Sequence, residues 1–479
     1  MNKKIIILII TLLILMLPNK IKAYELETES GYEYSKTLPE SGYTYHHTEC
    51  NGTKVKEENV TYNEDTKTFN INGITEQNNC KFYFNKNGEE IIRTYEVKLT
   101  VLNGTIEGET RKVVRSNENT TFSLNPTDGY GNPTVTCTNN QTGSVTNNTL
   151  TVSNVTNDTV CTVEFKELSG AERIIAKSID NNLDGLIKIS QAGDSSLQFP
   201  YSNDSVEYRY SGSNDVVKNY VEFNDETWRI IGVFPTDDGT GKIENRLKII
   251  RNESIGDYSW DNGTSVSSTS NIEEHSNTES LSYEKSDDYD VIFLAPPVSA
   301  GDNNWARPSS LNVYLNDNYY NQLTIEAQNM IYNAKFYLGG YIDSGINVKN
   351  MWVAERKTGG SDYYISGRQT NYTSKLALMY SSDYGYASSG CRNGEQTLNY
   401  YGNETCTSTN WLYNNNYEWI LNANTMYETM PYNISSTGDV ELAFGSSDSL
   451  PVKPVAYLKS NVKIASGTGT SSDPYQLSL

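Results

Sequence analysis

One block in the N-terminal third of the chain recurs at a constant offset, and this repeat restricts the fold more than any other feature. Thr68-Phe69-Asn70-Ile71-Asn72-Gly73-Ile74-Thr75, then Cys80-Lys81-Phe82-Tyr83-Phe84, matches Thr149-Leu150-Thr151-Val152-Ser153-Asn154-Val155-Thr156, then Cys161-Thr162-Val163-Glu164-Phe165, each position displaced by 81. Upstream, Gly42-Tyr43 precedes Cys50 as Gly129-Tyr130 precedes Cys137, now at an offset of 87, so the copies differ by a six-residue loop between their cysteines. Phe69 and Ile71 alternate with polar residues, as do Leu150 and Val152, and so do Phe82 and Phe84, Val163 and Phe165. A period of two is the mark of strands with one buried face. Two small all-β, sandwich-like domains are therefore expected in tandem, at 24–94 and 95–167. The second opens with a predicted hairpin, Tyr95 to Val101, a turn at Asn103-Gly104, then Thr105 to Gly108. The first has only Tyr24 to Glu40 there and reads as degenerate.

Domains this small bury little core, which gives the six cysteines a purpose. Met1 to Ala23 has Lys3 and Lys4, an apolar run from Ile5 to Leu17, a breaker at Pro18 and a small residue at Ala23. This reads as a secretory signal peptide, too short for a comfortable span; an uncleaved anchor is the alternative. An even cysteine count in an exported protein reads as disulfides, and local spacing pairs Cys50 with Cys80, Cys137 with Cys161, and Cys391 with Cys406. Each would be worth about 2–4 kcal/mol. Free thiols are the alternative, but no CxxC occurs to support zinc or redox chemistry. The mature protein is expected to be secreted or at the cell surface, without a membrane span. No lipoprotein cysteine follows the apolar run, and the C-terminal residues carry no sorting signal or apolar tail.

Composition narrows the function classes. The net charge is −21, and loss of Met1 to Ala23 removes four lysines and no acid, giving −25. That excludes a basic footprint for nucleic acid. The only histidines are His46, His47 and His275, which leaves little general-base or zinc chemistry. No cofactor or metal is expected. The loop Asp237-Asp238-Gly239-Thr240-Gly241 lacks calcium-site spacing and reads as a polar turn.

The second copy, Tyr95 to Phe165, resembles the short β-sandwich-like repeat domains strung along surface proteins of Gram-positive bacteria, by its Gly-Tyr, Val-Thr-Cys-Thr-Asn, Leu-Thr-Val-Ser-Asn-Val-Thr and Cys-Thr-Val-Glu-Phe blocks. The resemblance implies a stalk that displays the C-terminal part of the chain. A helical and linker segment is expected at 168–207, from the helical spacing of Ile174, Ile175, Ile179, Leu183 and Ile187 between Ala171 and Lys188.

Residues 208–479 form the last domain. A predicted hairpin joins Trp228-Arg229-Ile230-Ile231-Gly232-Val233-Phe234 to Arg246-Leu247-Lys248-Ile249-Ile250-Arg251, a polar surface loop spans Gly256 to Asp287, one helix starts near Pro308 or Ser309, and a second covers Thr324 to Asn333. With Met379-Tyr380-Ser381-Ser382-Asp383-Tyr384-Gly385-Tyr386-Ala387, Trp419 and Pro454-Val455-Ala456-Tyr457-Leu458, the opening strand resembles a domain common in secreted proteins of gut Firmicutes. Such domains are similar to C-type-lectin-like folds, related in architecture to the formylglycine-generating enzyme. The resemblance implies an α+β domain in which Trp228 to Phe234 pairs with Pro454 to Lys459 and an irregular loop region binds ligand. Lys453 stands where Arg is usual, Ile420-Leu421-Asn422 replaces Leu-Ser-Pro, and the sugar-calcium triplets of animal lectins are absent, so calcium-dependent sugar binding does not carry over.

No phosphate loop or nucleophile elbow is present. Cys391 and Cys406 could imitate a formylglycine-generating thiol pair but read more simply as a loop staple. Glu355 and Arg356, expected on a short strand, read as a structural ion pair, and Asp383 as a turn residue. Aromatic rings among amides between Trp411 and Tyr432 suit sugar stacking or a protein interface, which makes Tyr413, Tyr417, Tyr427 and Tyr432 the candidate ligand-binding residues. Trp411 and Trp419 read as core. A secreted binding or adhesion protein for a glycan or a surface protein is the expected function. A purely structural envelope component is the second reading, and an extracellular enzyme the third.

Overall fold

The computed structural model describes residues 94–178, 184–237, 240–262, 301–443 and 445–479, and outside them strand segments at 21–28, 34–35, 43–50, 53–56, 59–63, 68–71, 78–86, 280–285 and 290–295. The expected signal peptide lies outside the described residues, except that Ile21–Thr28 is a strand. The protein is mostly β, with several separate sheets. It divides into two compact units, Met1–Asn125 with Thr134–Glu164, and Pro126–Pro133 with Phe165–Leu479.

The repeat in the sequence is a repeat of strand order. In the second copy one sheet runs Arg111–Arg115, Thr94–Leu102, Thr159–Glu167, Tyr130–Cys137, and the other Thr142–Thr146, Thr149–Ser153, Thr120–Pro126, Gly104–Glu107. In the first copy, Ile21–Thr28, Asn78–Lys86 and Tyr43–Cys50 follow one another in one sheet, and Val60–Asn63, Thr68–Ile71 and Tyr34–Ser35 in the other. The copies differ in direction, because Ile21–Thr28 runs antiparallel to its neighbour while Thr94–Leu102 runs parallel to Thr159–Glu167. Alternation decides burial as expected: Leu150, Val152, Cys161 and Val163 are all 0% exposed. The sheets meet at Gly143, where a Cβ would come within 2.8 Å of the Val135 side chain.

The hairpin expected at Asn103-Gly104 is not one. Asn103 takes a positive φ of 58°, and the chain turns a corner there: Thr94–Leu102 stays in one sheet and Gly104–Glu107 crosses to the other. Disulfides join Cys137 to Cys161 and Cys391 to Cys406. Cys50 lies directly opposite Cys80 in the ladder of the first copy.

The second unit is built on a ten-stranded sheet. Its path runs Ile331–Tyr332, Val455–Leu458, Ile243–Arg251, Glu226–Asp237, Tyr220–Phe223, Tyr475–Ser478, Lys463–Ser466. Every residue from Trp228 to Pro235 is buried, as a strand covered on both faces requires. This sheet corrects the expected pairing of Trp228 to Phe234 with Pro454 to Lys459. Ile243–Arg251 stands between them, with Lys248, Ile249 and Ile250 opposite Tyr457, Ala456 and Val455. At Gly232 a Cβ would lie 2.1 Å from the Tyr208 carbonyl oxygen, so only glycine allows Ser205–Tyr210 to join the sheet there.

Two helix expectations change. The helix Gly170–Lys177, closed by a Ser169/Glu172 capping box, stops early; Leu186–Gln191 is instead a strand against Ser205–Tyr210, entered through Gly185 at φ 75°. Glu355 and Arg356 end a helix, Val348–Arg356, and not a strand: Asn347 caps it, and Val348, Met351, Trp352 and Glu355 share one buried stripe. Ser309 and Thr324 cap helices at Ser310–Val313 and Ile325–Met330. The expected loop over Gly256 to Asp287 includes a strand, Ser280–Lys285, paired with Asp290–Ala295; its middle, with His275, and Asp238 and Gly239 of the Asp-rich turn lie outside the described residues. No helix among the described residues is long and apolar enough to cross a membrane.

Candidate functional site

Two of the sites of buried charge in the second unit bear on function. Glu207, Glu355 and Asp383 share one enclosed cluster with Arg209, Lys248 and Arg356, all 0–1% exposed. The Glu207 carboxylate accepts from Arg209 Nε at 2.9 Å, from the Tyr201 hydroxyl at 2.6 Å and from Trp352 Nε1 at 3.2 Å. Asp383 Oδ1 accepts from Arg209 Nη1 at 2.8 Å, while Oδ2 accepts from Lys248 Nζ at 2.5 Å and from the Tyr380 amide at 2.9 Å. Glu355 Oε2 accepts from Arg356 Nη1 at 2.7 Å and from Ser382 Oγ at 2.5 Å.

Three acids face three bases, so the cluster is neutral. Burial pushes the Glu207 and Asp383 carboxyls up, but the cations beside them outweigh it and hold both below the ordinary value. Burial raises Glu355 and pushes Lys248 down to about 8. Enclosed on every side, this cluster can pair charge but cannot meet a substrate. Asp383 sits in the first turn of the helix Ser381–Ala387, its carboxylate folded back on the Tyr380 amide.

The second place is open. Tyr220, Arg229 and Ile250 are cross-strand neighbours on three adjacent strands, so their side chains form one row on one face of the sheet. The segment Trp411 to Asn414, with Asn252 and Lys453, lines a pocket of about 270 Å³ together with that row. The wall is fixed from behind: Trp411 Nε1 donates to the Tyr210 carbonyl at 2.9 Å, and the Tyr413 hydroxyl to the Ser436 carbonyl at 3.0 Å. The Cys391–Cys406 disulfide ties down the chain just before it.

Arg229 is the centre of this pocket. Its guanidinium lies between two rings, 3.8 Å from the Tyr220 centroid and 4.7 Å from that of Trp411. Nε donates to Asn219 Oδ1 at 2.7 Å and Nη1 to Asn214 Oδ1 at 2.9 Å. Nη2 is buried and donates to nothing. Burial lowers its pKa to about 10, which leaves it charged at neutral pH. The other cations here are paired: Arg251 with Glu226 at 2.7 Å and Lys453 with Glu418 at 3.0 Å. Such a site can bind an acceptor-bearing ligand.

Of the four candidate tyrosines, the pocket includes Tyr413. Tyr417 and Tyr427, 40% and 49% exposed, lie outside its lining. Tyr432 is a core residue, 0% exposed, its hydroxyl donating to the Tyr341 carbonyl and accepting from Asn424; no surface of it is left for a ligand. Trp411 is both core and wall, 4% exposed yet lining the pocket. Sequence reasoning missed Arg229, Tyr220 and Asn214. The available signal was an arginine in the middle of an apolar core strand, which must find either a carboxylate or another acceptor.

Compared with known protein families, curated proteins and solved structures, the chain matches none.

Proposed function

We propose that the chain is an extracellular binding protein in which two small β domains display a lectin-like C-terminal domain, and that its ligand enters the Arg229 pocket. The observation that carries this reading is Arg229 itself: a buried guanidinium that lines a pocket and has no carboxylate partner among the described residues. A buried charge is normally paired with an opposite one. A purely structural envelope component gains nothing from leaving one unpaired, whereas a binding site does. The two disulfides among the described residues suit an oxidising compartment. The bond between Cys391 and Cys406 also occupies both thiols that a formylglycine-generating site would need.

The test is the mature full-length chain on glycan and matrix-protein arrays, beside Asn252→Trp, which fills the pocket, and Tyr427→Ala, which alters an exposed ring outside it. Binding lost in the first variant and kept in the second is expected. Binding lost only in Tyr427→Ala moves the site elsewhere, and silence on both arrays favours the structural reading.

A further inference from the structure

We infer that the Arg229 pocket takes an acidic sugar, a hexuronic acid unit whose carboxylate meets Arg229 Nη2. This rests on the proposed function and adds the ligand's chemical class. Three observations carry it.

The first is charge. Three cations line the pocket, but Arg251 and Lys453 already face Glu226 and Glu418. Among the described residues only Arg229 of the three has no carboxylate within ion-pair distance, and Glu253 on the lining adds a negative charge. With Glu253 counted the surroundings carry no net charge, so what Arg229 offers a monoanion is a direct bond and not a positive field. A phosphate dianion would meet too little positive charge and be repelled by Glu253.

The second is geometry. Rings cover both faces of the Arg229 guanidinium, and Nε and Nη1 are occupied. Nη2 has no partner but is buried, so a ligand reaches it only along its edge, in the guanidinium plane, by displacing the side chains that cover it. The side chain is 3% exposed, so the donor is rigid and desolvated before the ligand arrives.

The third is the lining. Asn214, Asn252 and Asn414 offer amide donors and acceptors beside the ring of Tyr413, a set that matches hydroxyls around an apolar ring face. At about 270 Å³ the pocket lies below the size typical for drug-like ligands and suits a single sugar unit. A peptide C-terminus also brings one carboxylate, but peptides are gripped through backbone at sheet edges or nests. Tyr220–Phe223, Glu226–Asp237 and Ile243–Arg251 are each paired on both sides and offer no edge.

The experiment is calorimetric titration of the mature full-length chain with methyl glucuronide, methyl glucoside, glucose 6-phosphate and a tripeptide with a free C-terminus. Methyl glucuronide should bind at least about tenfold more tightly than the neutral glucoside, as expected for one charge-assisted hydrogen bond. Asn214→Asp places a competing carboxylate where the Asn214 amide oxygen already accepts from Nη1, with almost no change of shape. It should weaken glucuronide binding by a similar factor without lowering the melting temperature, which separates the effect from misfolding. Equal affinity for glucoside, tighter binding of the phosphate or the peptide, no binding of glucuronide, or indifference to Asn214→Asp each overturns the inference. A neutral sugar that binds and is lost in Asn252→Trp would overturn the acid preference while leaving the pocket as the ligand site.

Discussion

Arg209 and Arg356 share the second unit with Arg229, and all three are almost fully buried. Arg209 and Arg356 have carboxylates at 2.8–2.9 Å and 2.7 Å inside a neutral, enclosed cluster. All three stack on aromatic rings and keep one buried nitrogen without a partner, but Arg229 bonds two asparagine oxygens, meets no carboxylate and lines a pocket. Burial alone therefore does not separate structural from functional charge. What separates them is whether the chain supplies the counter-charge itself or leaves it to be supplied from outside.

The contrast breaks most visibly at Asp383. Replacing it by alanine leaves Lys248 and one side of Arg209 facing no acid, and removing one partner of a buried pair costs about 3–5 kcal/mol. Urea unfolding should show that loss; a change under about 1 kcal/mol would mean water reaches the cluster. Alkaline titration comes next. Burial pushes the Tyr201, Tyr210, Tyr380, Tyr384 and Tyr457 phenols well above 10. Above pH 10 the unfolded chain loses these protons while the folded chain keeps them, so stability must fall, by about 1.4 kcal/mol per pH unit for each group. Lys248 has the opposite sign: from about 8 to its unfolded value of about 10.4, the unfolded chain holds the extra proton and stability rises. One lysine against five phenols predicts a melting temperature that drops steeply above pH 10.

Arg229→Met sharpens the comparison. It removes two hydrogen bonds to asparagines but strands no carboxylate, so its stability cost should be only about 1–2 kcal/mol, well below that of Asp383→Ala, while ligand binding is lost. Asn214→Asp should have the smallest effect on folding, a stabilisation of at most about 1 kcal/mol in thermal unfolding, because that position is exposed.

The β character was legible because alternation at Leu150 and Val152, or at Cys161, Val163 and Phe165, reports a one-sided burial that the sheets then enforce. The corner at Asn103 was not, because a residue at positive φ followed by glycine serves a hairpin and a change of sheet equally well. Ile187 belonged to a helical pattern locally and to a strand globally; pairing with Arg209 outweighed spacing. The site was half legible. Aromatic and amide enrichment pointed to Tyr413, but Tyr417, Tyr427 and Tyr432 have the same composition and different surroundings. Arg229 lies nearly two hundred residues away, and only sheet pairing brings it under Trp411.

A crystal structure of the mature chain grown with methyl glucuronide tests the central claim most directly. It should show a carboxylate oxygen within hydrogen-bond distance of Arg229 Nη2, with the sugar ring among Tyr413, Asn252 and Asn414. A sugar bound elsewhere over an empty pocket, or held in the pocket with its carboxylate turned away from Arg229, would contradict it.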